Sequence, residues 1–232
     1  CIAMESRCEN CIIRQFNSLR ALSKEELKKV SNAKISKKIK KGDALFSEGQ
    51  KLDGVYCVRN GVSKLSKLSS NGKEQIVKLT NRGEIMGQRS VIAEDYTNLG
   101  ATAINDMEVC FIPKEIITTT LNTNPYFSLE VLRHMAHDLK EADDVIVNMS
   151  QKTVKQRLAE ALLYLRQNYG EDENGFLLLT LSRDDYANIV GAATESLIRM
   201  LSDFKKKGLI KTEGKKIGIV NDCALKELID GF

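Results

Sequence analysis

Glu195, Ser196 and Arg199 place a carboxylate, a hydroxyl and a guanidinium within little more than one helical turn of chain. A guanidinium can donate in parallel to guanine O6 and N7, and a carboxylate can accept from cytosine N4. That is the chemistry of reading base edges, provided one helix holds the three on its outer side. The surrounding stretch, LSRDDYANIVGAATESLIRMLSDFKKK at 181–207, reads as two helices joined by a tight turn. Ser182 is the expected N-cap of the first, with Asp184 and Asp185 in the turn where the helix dipole favours negative charge. Tyr186, Ile189 and Val190 give it an apolar face, and Gly191 can take the left-handed conformation that ends it. Thr194 is the expected N-cap of the second helix. Leu197, Met200, Leu201 and Phe204 make its inward face and leave Glu195, Ser196, Ile198, Arg199 and Ser202 outside. On this stretch alone an ordinary helical hairpin stays open as the plainer reading.

Other reactive side chains point to little enzymology. The chain has two histidines, His134 and His137, and six cysteines at irregular spacing. No Gly-rich phosphate loop, HExxH motif, Ser/His/Asp set or Cys/His set is present, so an enzyme is not expected. The two histidines stand at i, i+3, a spacing that can share a metal, but a solvated flank is the preferred reading. The cysteines do not form a disulfide framework in a chain this large, which points to a reducing cytoplasm.

Composition bounds the rest. At 232 residues, 42% hydrophobic and 28% charged, the chain is expected to be globular with two domains. No apolar run is long enough to span a bilayer, and the opening CIAMESRCENC lacks a signal peptide's apolar core. A full coding sequence begins with Met, so whether residues precede Cys1 is open. Net charge is +4, with 22 Lys and Arg against 19 Asp and Glu before residue 151 and 13 against 12 from there on. Neither part is a polycation, so nucleic-acid binding would have to come from a local face.

The elements that would position the chemistry follow in order. Ser23 and Glu26 have capping-box spacing before an amphipathic helix with Leu27 and Val30. Short β-branched runs then fall at 35–40, 44–48, 55–59, 63–68, 74–79 and 107–112. Glycine turns separate them, with Asn-Gly at 60–61 and 71–72, the strongest short hairpin signal. This texture predicts an antiparallel β-roll or jelly roll. Between 127 and 149, Leu132, Met135, Leu139, Ala142, Ile146 and Met149 step by 3 and 4, a heptad seam. Packing on the chain's own β domain could cover that seam, but a symmetric two-helix dimer is the preferred reading. A helix lined by Val154, Leu158, Leu162 and Leu165 is predicted to end near Tyr169-Gly170, followed by a short strand at 176–180. Runs at 209–212 and 217–220 flank Glu213-Gly214-Lys215-Lys216, which makes the helical pair a winged helix. Lys205, Lys206, Lys207, Lys215 and Lys216 would contact phosphates. The expected fold is α+β: an N-terminal sensor roll at 1–126, a dimerisation helix at 127–150 and a winged helix-turn-helix at 151–232.

These features together resemble the Crp–Fnr transcription regulators over nearly the whole chain. The resemblance rests on Gly42-Asp43, the Gly61 hairpin, Gly83-Glu84, and Ile189-Val190-Gly191 through Arg199. It implies a homodimer that binds palindromic double-stranded DNA, works with RNA polymerase and responds to a small-molecule or other effector. A cyclic-nucleotide-binding module acting on a protein partner is the rival class, against which the winged helix argues. By position, the resemblance makes Ser182 and Arg183 phosphate contacts and Glu195 and Arg199 base readers. Thr194 falls where one branch has a further base-reading arginine.

For the signal, the segment matching the family's cyclic-nucleotide pocket is Gly83, Glu84, Gly87, Gln88, Arg89 and Ser90. Its phosphate-binding Arg-Ser falls near Asn98-Leu99, which cannot neutralise a phosphate, so cyclic AMP is not the expected ligand. The oxygen-sensing branch holds an iron–sulfur cluster with four cysteines. Cys8, Cys11 and Cys110 match three of them, while the remaining ligand falls close to Asn17, and Cys1 could replace it only with a different loop. Cluster ligation normally needs four thiolates. No metal is therefore the preferred expectation, ahead of an iron–sulfur cluster and of zinc or another metal.

Overall fold

The computed structural model describes residues 7–230, so Cys1 lies outside the described residues. Short 3-10 turns at Cys8–Asn10, Ile12–Phe16 and Ser18–Ala21 lead into helix α1 (Lys24–Ala33). The predicted capping box starts α1: the Glu26 N–H donates to Ser23 Oγ at 3.2 Å, and the Ser23 N–H donates to Glu26 Oε2 at 2.8 Å.

The strands follow as β1 (Ile35–Ile39), β2 (Ala44–Phe46), β3 (Gly54–Asn60), β4 (Ser63–Leu68) and β5 (Glu74–Thr80). Next come β6 (Ile85–Met86), the short helix α2 (Gln88–Ala93), β7 (Gly100–Ala103) and β8 (Met107–Pro113). They form two four-stranded sheets, β1-β8-β3-β6 and β2-β7-β4-β5, and the registered pairs are antiparallel, as the β-roll reading requires. Gly61 shows why the Asn-Gly turns matter. Its φ is +89°, and a Cβ there would stand 2.6 Å from the Asp106 carbonyl oxygen, so only glycine fits. Strand β3 is central and buried from Gly54 to Val58. Val55, Val58, Val109 and Ile112 are at most 1% exposed and form the middle of this core.

The chain continues through α3 (Lys114–Thr123), the long α4 (Pro125–Gln151), α5 (Val154–Tyr169), α6 (Arg183–Val190) and α7 (Thr194–Lys206). It ends with strands β9 (Ile210–Glu213) and β10 (Lys216–Ile219) and helix α8 (Asp222–Asp230). Packing divides it into two compact units: residues up to Lys67 with Val77–Ala142, and Leu68–Ile76 with the residues from Asp143. Helix α4 spans the whole predicted heptad. Met135 packs against the core of the first unit, whereas Leu132, Leu139 and Ile146 are 63%, 65% and 66% exposed. These three recur every seventh residue, so a single chain leaves one apolar stripe of the helix in water.

In three places the structure corrects the sequence reading. Residues 176–180 are not a strand; Glu171 and Leu177 make an isolated bridge, and the Leu177 N–H donates to the Ile217 carbonyl at 2.8 Å. Strands β6 and β7 and helices α2 and α8 were not predicted. The β6 run has two residues, and Gly87, with φ +86°, turns the chain at once into α2. The third correction, at the start of α7, belongs with the site.

Candidate nucleic-acid interface

The second unit builds its surface on a buried helical frame. Leu158, Leu162 and Leu165 of α5, Tyr186 and Val190 of α6, and Leu197 and Phe204 of α7 are each at most 1% exposed. Thr153 caps α5 in a capping box with Gln156, and the helix stops at Gly170 as predicted. Arg157 on α5 then fixes the angle of the pair. Its Nε donates to the Val190 carbonyl at the end of α6 at 2.8 Å, and its Nη1 donates to the Lys152 carbonyl at 2.6 Å. Val190 is the last residue of α6 and Lys152 follows the end of α4, so one guanidinium ties two helix ends together. The sequence reading missed Arg157 because its role depends on where the next helix ends.

Ser182 caps α6 and also makes a capping box. The Asp185 N–H donates to Ser182 Oγ at 3.0 Å, and the Ser182 hydroxyl donates to Asp185 Oδ2 at 2.6 Å. Gly191 closes the helix in the left-handed conformation, with φ 66° and ψ 49°. The second cap differs from expectation. Ala193 is the N-cap of α7 and Thr194 is its first residue. The Thr194 hydroxyl instead donates to Asp184 Oδ1 at 2.7 Å, tying the start of α7 to the first turn of α6. The side chain is held between the two helices, and α7 starts without a side-chain cap.

Helix α7 separates its faces sharply. Leu197, Leu201 and Phe204 are buried, while Glu195, Ile198, Arg199 and Ser202 are exposed and Ser196 is half-buried. Glu195 and Arg199 stand at i, i+4, so they share one face at the N-terminal half of the helix. Strands β9 and β10 form a two-stranded ribbon. Arg183 joins this wing to the helical pair: Nη2 donates to the Gly214 carbonyl at 3.0 Å and Nη1 to the Lys215 carbonyl at 3.3 Å. A guanidinium has five N–H donors, so others remain for a phosphate. Lys205, Lys206, Lys207, Lys215 and Lys216 are all exposed. Lys207 also pairs with Asp203 at 3.1 Å and Lys216 with Asp172 at 3.6 Å. Such exposed pairs hold their lysines weakly and leave them exchangeable for a phosphate.

Comparison with known proteins decides the family. Residues 156–228 match the family described as Crp-like helix-turn-helix domain, and residues 36–124 match the one described as Cyclic nucleotide-binding domain. The chain is 30% identical over 226 residues to the Anaerobic regulatory protein of Aggregatibacter actinomycetemcomitans, covering 95% of this chain and 87% of that protein. The chain belongs to the Crp–Fnr family. It is likewise 30% identical, over 95% of its length and 89% of the relative's, to the Fumarate and nitrate reduction regulatory protein of Escherichia coli (strain K12). Two solved structures share the fold: FixK2 from Bradyrhizobium japonicum and a CRP/FNR-family transcriptional regulator from Thermus thermophilus. Their TM-scores are 0.74 and 0.72, each at 24% identity, covering 84% and 85% of this chain and 96% and 99% of theirs. This Crp–Fnr protein is a DNA-binding transcription regulator and not an enzyme.

The β-roll of the first unit and α4 line a cavity of about 280 Å³. Of the residues expected there, Gly87, Gln88, Arg89 and Ser90 line it, and so do Asn98 and Leu99. Gly83 and Glu84 do not. Glu84 turns to Lys78 at 3.1 Å and accepts from the Asn81 N–H at 2.7 Å, while Gly83 packs against Phe16. Of the two histidines, His134 borders the cavity and His137 pairs with Glu141 at 3.4 Å. Among the described residues, no helix is long and apolar enough to cross a membrane.

Proposed function

We propose that two copies of the chain pair along α4 and read a palindromic duplex, with Glu195 and Arg199 on base edges. Ser182, Arg183 and the lysines of α7 and the wing would hold the backbone, with Thr194 and Ser196 beside them at the helix start. The observation that carries this reading is the exposed face of α7, whose polar side chains stand opposite a fully buried anchor at Leu197 and Phe204. Phosphate contacts set register without reading sequence, so discrimination falls to Glu195 and Arg199. RNA polymerase is the proposed protein partner, and a reducing cytoplasm the proposed location.

Replacing the guanidinium tests the reading. Arg199→Ala should cost about 1–3 kcal/mol on the preferred duplex and flatten preference at one base pair per half-site. Fluorescence anisotropy on duplexes varied one base pair at a time measures both effects. An equal loss on every duplex would show a phosphate contact instead.

For the signal, a cyclic nucleotide is not the proposed ligand, because Asn98 and Leu99 line the cavity where the family's phosphate-binding pair would stand. A redox- or gas-responsive iron–sulfur centre is the second reading; it rests on the family match of Cys8, Cys11 and Cys110, and among the described residues no three Cys, His, Asp or Glu side chains are placed to hold a metal ion. Cys8 and Cys110 lie in one buried cluster, with Cys11 packed against it. Burial pushes the Cys8 thiol up; Lys34 beside it pulls it down, and Cys110 adds to the rise. The sequence alone argued against a metal for want of a fourth thiolate. When bound, such a group supplies a redox-active centre whose state the protein can sense.

A further inference from the structure

Helix α7 exposes one large apolar side chain, and it stands among the groups proposed to read bases. Ile198 is 50% exposed, while the inward face of the helix is already filled by Leu197, Leu201 and Phe204. It follows Glu195 by three residues and precedes Ser202 by four, with Arg199 next in the chain, so the four share one outer face. A single exposed apolar residue is ordinary on a protein surface. Its setting here is not. Every other exposed residue of α7, namely Glu195, Arg199, Ser202, Lys205 and Lys206, is polar or charged. Isoleucine is also β-branched and suits a helix less well than alanine, lysine or glutamate would. Neither packing nor helix propensity accounts for it.

The neighbouring side chains do not offer the same surface. Thr194 has a methyl group at the helix start, but its hydroxyl is bound to Asp184 Oδ1 at 2.7 Å, which holds it against α6. Ser196 and Met200 are half-buried. Ile198 is thus the apolar group that α7 turns outward.

The chemistry of the major groove then selects the base. Thymine alone presents a methyl group there, while the other bases present hydrogen-bonding atoms. Isoleucine has neither donor nor acceptor, so thymine is the base it fits. Against the amino group of cytosine or adenine it would displace water from a polar atom and return no hydrogen bond, which disfavours those bases. From Glu195 to Ser202 the helix advances about 10.5 Å, the rise of about three base pairs. A base met by Ile198 should therefore lie within about two base pairs of the guanine taken by Arg199.

We propose that Ile198 reads the C5-methyl group of one thymine in each half-site, close to that guanine. This rests on the base-reading role of α7 proposed above and adds to it a contact that needs no hydrogen bond. Glu195 and Arg199 select by acceptors and donors, and Ile198 selects by shape and by excluding water.

Deoxyuridine tests the contact, because it removes the methyl group of thymine and leaves every hydrogen-bonding atom in place. Fluorescence anisotropy is measured with the full chain on the duplex it selects from a random pool. Copies of that duplex carry deoxyuridine for each half-site thymine in turn. For wild type, one position should weaken binding about 4-fold per half-site, the worth of one buried methyl group, and about 10–20-fold when both half-sites are changed. Ile198→Ala should bind the thymine duplex more weakly by about the same factor, ignore deoxyuridine at that position and keep its preference for the guanine. The probe alters only the DNA, so the wild-type series carries the test if Ile198→Ala folds poorly. A wild type to which no single deoxyuridine matters, or an Ile198→Ala protein as sensitive as wild type, would overturn the role of Ile198. In that case loss of the guanine preference in Arg199→Ala would show the base-reading role of α7 still standing. A wild type that selects no duplex would overturn both.

Discussion

Leu132→Glu combined with Leu139→Glu should convert the chain to a monomer and lower its affinity for a two-half-site duplex by about 10²–10⁴-fold. In one chain these leucines are 63% and 65% exposed on α4, so neither supports the fold of a single copy. Burying a leucine is worth about 1.5–3 kcal/mol, and two-fold symmetry makes each substitution occur on both sides of the interface. The new carboxylates would also face one another across the seam, where like charges oppose pairing. A monomer binds the second half-site only as a separate event, which removes the effective concentration that links the two. Sedimentation velocity and anisotropy on duplexes with one or two half-sites measure the two effects, and circular dichroism should show unchanged helix content. A variant that stays dimeric and binds as wild type would place the interface elsewhere.

Phe204→Ala should be the most damaging single substitution in the DNA-binding unit, costing about 3–5 kcal/mol. Phe204 is 0% exposed on the inward side of α7, whose outer side carries the exposed Ile198, Arg199 and Ser202. A domain's whole stability is about 5–15 kcal/mol, so this loss takes much of it. For a unit of this size the melting temperature should fall by well over 10 °C. Thermal unfolding followed in the full chain measures it, alongside Ile198→Ala on the exposed side of the same helix, which should change stability by no more than about 0.5 kcal/mol. Equal losses for the two would mean that α7 is not seated as described.

The parts of the fold that were legible in the sequence are those set by local rules. The capping residues Ser23 and Ser182, the stop at Gly191 and the heptad of α4 each depend on a few neighbours in the chain. Hydrophobic period was enough to separate Leu197, Leu201 and Phe204 from Glu195 and Arg199 on α7. Where the reading failed, tertiary partners decide. Thr194 has the right chemistry for a cap, but Asp184 engages its hydroxyl and Ala193 takes the capping position. The bracing of the wing turn at Gly214 and Lys215 by two Arg183 nitrogens was likewise not legible, and it leaves the expected phosphate contact open. Residues 176–180 have the composition of a strand but make only a single bridge. The cysteines show the limit most clearly. Spacing could group Cys8 with Cys11, but no spacing rule links Cys57 to Cys110. Strand register does that, and it is set by the pairing of β3 with β8.

If α7, presented twice, reads sequence through Arg199, then selection of duplexes from a random pool tests it most directly, with the full chain and Arg199→Ala run in parallel. Wild type should enrich an inverted repeat with half-site centres about 10–10.5 base pairs apart, or a multiple of that, each half carrying a fixed guanine. Arg199→Ala should keep the repeat and its spacing but lose the preference for that guanine. Enrichment of no sequence at all, or of a motif without two-fold symmetry that Arg199→Ala leaves unchanged, would contradict the claim.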